Sequence, residues 1–131
     1  MVEYILNSQF LKTLYPDELP LDGCISDIHF TYDGPSILIH FHTKILPKTI
    51  PKKWSKNSNG ILIIFEFIDF DISSFQKFNT ENNVNMSIIN NDDKLYASFK
   101  GENFNLEFNC KWIYCKKISA YVDSESTNQI S

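Results

Sequence analysis

Hydrophobic and polar residues alternate over most of this chain, and its longest apolar run, residues 60–72, lies near the middle. Ile61, Ile63, Phe65 and Phe67 recur there at a period of two. Leu62, Ile64, Ile68, Phe70 and Ile72 take the opposite side, interrupted by Glu66. β-Branched and aromatic residues at that period predict a strand, and apolar residues on both sides predict one covered on both faces. The slip at Phe67 and Ile68 predicts a bulge or the end of strict pairing.

Residues 8–14 carry apolar positions near helical spacing and predict a short helix, with Asn7 or Ser8 as its cap and Tyr15-Pro16 as its end. Residues 23–33 alternate, with Cys24, Ser26, Ile28, Phe30 and Tyr32 on one side and Ile25, Asp27, His29, Thr31 and Asp33 on the other. Asp33-Gly34 is a hairpin signal, and residues 36–45 alternate in turn. A two-residue turn sets Phe30 against Ile37, Ile28 against Ile39, Asp27 against His40 and Ile25 against His42, so pattern and turn agree.

Residues 46–59, with Pro47, Pro51 and Trp54, predict a semi-rigid connection. Residues 73–78 read as a short helical turn and residues 79–83 as a polar loop. Alternation around Val84–Ile88, Leu95–Phe99 and Phe104–Cys110 predicts an antiparallel meander with one wet face. Residues 112–122 form the last strand, and the polar tail 123–131 reads as frayed. The expected fold is mainly β: a curled antiparallel sheet, two-layer β-sandwich or partial barrel of about seven strands, with a short N-terminal helix. No repeat or boundary divides residues 1–131, which predicts a single domain.

Composition sharpens this reading in a few places. Of 131 residues, 11 are Phe and 6 are Tyr, which favours strands over helices. All 12 basic residues are Lys, so no guanidinium fork exists for phosphate or carboxylate. The net charge is −4, and the only basic concentration is Lys48, Lys52, Lys53 and Lys56. That balance argues against a nucleic-acid partner and suits a basic protein. No signal peptide and no membrane span are read. Three cysteines, Cys24, Cys110 and Cys115, without metal-ligand spacing, predict free thiols in a reducing cytoplasm.

Several groupings invite a chemical reading. The hairpin register puts Asp27, His29, His40 and His42 on one face, with His40 and His42 about 7 Å apart. A metal-binding protein or enzyme would use such a set; the plainer reading is the polar face of a hairpin. Asp69 and Asp71, with Glu66, resemble an acid/base pair or simply a solvated strand end. Cys110 and Cys115 have no His beside them in sequence. No glycine-rich phosphate loop, nucleophile elbow or HExxH occurs, so no catalytic residue, metal or cofactor is assigned. Trp54 is either a recognition aromatic or a plug for one end of the sheet. Glu66, Asp69, Asp71, Asp92, Asp93, Glu102 and Glu107 form either an acidic docking face or scattered solvated charges. The expected partner contacts are Trp54, Glu66, Asp69, Asp71 and Tyr96, and an unpaired edge strand leaves room for a homodimer. A generic protein-interaction or ligand-binding β domain is a further alternative.

The order of landmarks has a family likeness. Leu14-Tyr15-Pro16 is followed by Pro20, then Ile28-His29-Phe30 and Asp33-Gly34-Pro35. Pro47, Pro51-Lys52-Lys53-Trp54 and the apolar strand with its Asp-rich end come next, then Phe108 and Ile118-Ser119-Ala120-Tyr121. Over residues 14–122 this resembles the immunity protein 50 family of bacterial polymorphic toxin systems. The resemblance implies a small cytoplasmic, non-catalytic protein that binds and neutralises a cognate toxin domain. It brings no active-site residues, and partner surfaces diverge between members, so it transfers no contacts.

Overall fold

A computed structural model describes residues 2–77 and 83–123. A single 3-10 turn (Val2–Tyr4) leads into β1 (Ile5–Leu6) and α1 (Gln9–Leu14). Eight further strands follow: β2 (Asp22–Thr31), β3 (Ser36–Thr43), β4 (Gly60–Ile68), β5 (Asp71–Lys77), β6 (Asn83–Asn91), β7 (Lys94–Lys100), β8 (Phe104–Cys110) and β9 (Trp112–Tyr121). They form one sheet of nine strands in the order β1-β9-β4-β3-β2-β6-β7-β8-β5. Every pairing is antiparallel except β1 with β9. The expected mainly β, curled sheet is therefore present, with two strands more than expected and one parallel pair.

Alternation explains how one sheet makes a core. Ile37, Ile39 and Phe41 of β3, and Ile61, Ile63, Phe65 and Phe67 of β4, are fully buried. So are Ala97 and Phe99 of β7, and Leu106, Phe108 and Cys110 of β8. Rings from the two halves meet: Phe67 lies 4.8 Å from Phe108 and 6.0 Å from Phe99, and Phe41 lies 6.3 Å from Phe99. The half containing β9, β4 and β3 thus folds face to face on the half containing β7 and β8. Burying one such ring stabilises the fold by roughly 1.5–3 kcal/mol before any packing term. Strand β2 is the corner, because it pairs with β3 along its length and with β6 only from Asp22 to Cys24.

Several sequence expectations are corrected. Residues 73–77 are not a helical turn; they belong to β5, and Phe78 lies outside the described residues. A bulge between Ile72 and Ser74 sets Ile72 against Phe108 and Phe75 against Leu106. The bulge spaces the two apolar residues three apart, which imitates a helical period. The hairpin register holds from Phe30↔Ile37 to Asp27↔His40, then slips by one residue at Ser26. Ile25 therefore faces Phe41 rather than His42, and is buried in the core. Gly34, at φ +62°, supplies the left-handed residue of the turn. The bulge in the β4–β9 pair falls between Ile64 and Phe65, not at Phe67, and pairing runs on through Ile68.

Strand β4 is not covered on both faces either. Leu62, Ile64, Glu66 and Ile68 are only half-buried, because the face they share with Leu38, His40 and Tyr114 is the outside of the folded sheet. The short helix begins at Gln9 after Ser8, whose side chain makes no capping bond. Asn7 instead donates from Nδ2 to the Cys115 carbonyl at 3.0 Å, tying the N-terminal segment to β9. Tyr15 ends the helix as expected, and its hydroxyl donates to the Ile45 carbonyl at 2.6 Å. The polar loop read at 79–83 and the tail from 124 onward lie outside the described residues, apart from Asn83 in β6.

Candidate functional site

The bulge at Ser26 creates a polar cluster around the cleft-lining histidine, His42. It brings the Ser26 hydroxyl oxygen to 2.7 Å from His42 Nε2, while Tyr121 Oη lies 3.1 Å from His42 Nδ1. Ser26 donates to Asp27 Oδ2 at 3.0 Å. One proton arrangement satisfies all three contacts: Tyr121 donates to Nδ1, the Nε2–H donates to Ser26, and Ser26 donates to Asp27. The imidazole is then neutral. Burial pushes its pKa below the usual histidine value, and neighbouring His40 adds to that. Tyr121 reaches this position across Gly60, where a Cβ would stand 2.3 Å from the Tyr121 ring. Lys44 lies over the same ring at 5.6 Å and pairs with Asp123 at 2.6 Å. A cleft of about 790 Å³ opens beside these groups, bounded also by Cys24, Ile45 and Val84.

This cluster is a closed hydrogen-bond chain. Ser26 points its proton at a carboxylate, so His42 is not placed to take it as a base. The expected shared face of Asp27, His29, His40 and His42 is present, with His29 and His40 rings 5.9 Å apart and His40 Nδ1 3.7 Å from Asp27. Among the described residues no three His, Cys, Asp or Glu side chains converge as metal ligands. Burial pushes the Cys110 thiol up to about 12 and the Cys115 thiol to about 11, away from nucleophilic use. Sequence reading missed Ser26 and Tyr121 because a bulge and an 79-residue separation bring them to His42; only the pairing order reveals the contact.

The expected partner contacts divide into three places. Trp54 packs edge-on against Phe10 of α1 at 5.9 Å and lies partly buried against the core, at the Gly60 end of β4. Glu66 is on the outer side of β4, 3.5 Å from Lys116. Asp69, Asp71 and Tyr96 gather at the other end of the molecule. Tyr96 and Asp71 both pair with Asn109 across β7, β8 and β5, and Ile89 of β6 pairs with Tyr96. Asp71, Asn109, Tyr96 and Ile89 therefore form one row on the outer face of the second half-sheet. Tyr96 donates to Glu107 at 2.8 Å, and this bond, with Asn105 and Lys100, pulls the Glu107 carboxyl below its usual range. Asp69 takes a left-handed conformation at φ 59°, pinned by its N–H bond to the Pro35 carbonyl at 2.8 Å. Ile89 and Asn109 were not foreseen; their place in the row depends on strand order.

No helix among the described residues is long and apolar enough to cross a membrane. The family model described as Immunity protein 50 matches residues 7–121 of the chain. No curated protein and no solved structure matches.

Proposed function

The chain belongs to the immunity protein 50 family, and from that premise we propose that it neutralises a cognate bacterial toxin by stoichiometric, non-catalytic binding in the cytoplasm. The match over residues 7–121 carries this reading. The satisfied Tyr121–His42–Ser26–Asp27 chain and the buried thiols fit a protein that acts by occupying a surface. Asp69, Asp71 and Tyr96 are the proposed contacts that share one region, with Glu66 and Trp54 as contacts only for a partner that wraps further round the sheet.

Co-expression with the C-terminal domain of the toxin encoded beside this chain tests the proposal. The expected result is restored growth and a 1:1 complex by calorimetry. His40→Ala and Ser26→Ala variants should protect as well as the unsubstituted chain. Failure of the unsubstituted chain to protect or bind refutes the function. Loss of protection in a folded His40→Ala variant would favour metal or catalytic chemistry on the histidine face.

A further inference from the structure

We propose that the outer face of β5–β8–β7–β6, at the end holding the Asp71–Asn109–Tyr96–Ile89 row, docks a lysine- and arginine-rich surface of the cognate toxin; this rests on the immunity reading and adds the place and the partner's chemistry.

Four connections converge at that end. The 32–35 turn meets the β4–β5 corner through the Asp69 N–H bond to Pro35. The β8–β9 turn joins through the Lys111 N–H bond to the Ile68 carbonyl at 3.0 Å. Leu95 pairs with Cys110, which sets the β6–β7 turn beside them. Asp33, Asp69, Asp71, Asp92 and Asp93 are thereby collected, against Lys94 and Lys111, so this end holds a net −3 of the chain's −4.

Most described carboxylates elsewhere are engaged, although Glu18, Asp22 and Glu102 have no ion-pair partner among the described residues. Asp17, Asp27, Glu66, Glu107 and Asp123 each have a basic partner within 4.0 Å. None of the five carboxylates at this end has an ion-pair partner among the described residues. Lys111 is turned over the Trp112 ring, 4.9 Å from its centre. At the opposite end of β4, the 44–59 connection carries Lys48, Lys52, Lys53 and Lys56. The lysines there are partly offset by Asp17, paired with Lys48, and by Asp123, paired with Lys44, so the excess negative charge gathers at the other end of β4, about 30 Å away, and that acidic end would lead the approach to a basic partner.

The face also supplies apolar contact. Ile89 is 56 % exposed at the β6 end of the row, and Tyr32 at the adjoining turn is 96 % exposed. Exposed aromatic and aliphatic side chains ringed by complementary charge are the usual anchors of a protein interface.

Association kinetics with a catalytically inactive form of that toxin C-terminal domain test the proposal. The triple variant Asp71→Asn, Asp92→Asn, Asp93→Asn should slow association about tenfold at low salt and flatten its salt dependence. The control Asp17→Asn, Glu18→Gln, Glu102→Gln changes net charge equally at other places and should slow it less than about twofold. Ile89→Lys should weaken binding at least as much as the acidic triple variant. Unchanged melting temperatures exclude misfolding. If the acidic variant binds as the parent does, or both triple variants slow equally, the docking face is wrong while the immunity function stands. If the unsubstituted chain does not bind the toxin domain, both fall. Loss of self-association in place of toxin binding would assign the face to a second copy of this chain, and would overturn the proposal.

Discussion

Replacing Phe67 by Ala tests the one-sided covering of β4. Phe67 is fully buried and touches three rings: Phe108 at 4.8 Å, Phe99 at 6.0 Å and Phe65 at 6.1 Å. Truncating a buried Phe costs about 3–5 kcal/mol in lost transfer energy and residual cavity. Each lost ring pair adds up to roughly 1 kcal/mol, so the upper half of that range is expected. Ile64, three residues earlier, is equally apolar but faces outward and is half-buried. Its truncation removes about half the transfer energy and leaves no enclosed cavity, so about 1 kcal/mol is expected. Urea unfolding followed by tryptophan fluorescence measures both. With a slope near 2 kcal/mol per molar, the Phe67→Ala midpoint should fall by about 2 M and that of Ile64→Ala by about 0.5 M. Should Phe67→Ala fail to fold, Phe67→Leu, at about 1–2 kcal/mol, keeps the comparison open. Equal losses at Phe67 and Ile64 would refute the one-sided covering and restore a strand buried on both faces.

Three further outcomes are expected. The folded-state pKa of His42 lies below its unfolded value of 6.5, so its stabilising contribution is present above that pH and is lost as pH falls through the folded pKa; an NMR titration giving His42 a pKa above 6.5 would contradict this. Gly60→Ala puts a Cβ into the Tyr121 ring, so roughly 1–3 kcal/mol of stability should be lost, and the Tyr121–His42 contact should disappear from side-chain NMR spectra. Alkylation at pH 8 should modify half-buried Cys24 well before Cys110 and Cys115, which are held up to about 12 and about 11 by burial; equal rates for all three would show that β8 and β9 open together.

Local patterns were readable in the chain, and pairings between distant strands were not. The Asp33-Gly34 turn and the alternation around it were enough to set Phe30 against Ile37 and Asp27 against His40. Ser26 ended that legibility, because a bulge adds a residue without disturbing the composition of the strand. Ser73 hid β5 in the same way, giving Ile72 and Phe75 a helix-like spacing. The apolar run at 60–72 showed two greasy sides, but not that only one side meets another layer; that depends on which half-sheet folds over which. Asp71 and Tyr96 are recognisable one by one as a charged and an aromatic residue, and their common row depends on Asn109 between them. Trp54 against Phe10 also requires α1 to lie beside the 44–59 connection, which no periodicity encodes. The family was legible because ordered landmarks survive where pairings are invisible: the likeness seen over 14–122 closely tracks the matched span 7–121.

The row across β5, β8, β7 and β6 has a consequence for how its surface can change. Its four side chains come from positions 71, 109, 96 and 89 on four different strands, and those at 109, 96 and 89 sit next to buried residues such as Phe108, Ala97 and Ile88. Exchanging one segment with a relative would carry core residues along and alter only one or two members of the row. Single substitutions alter the row without disturbing the packing beneath it. Such a surface diverges point by point, and two chains with the same interior can come to present quite different faces.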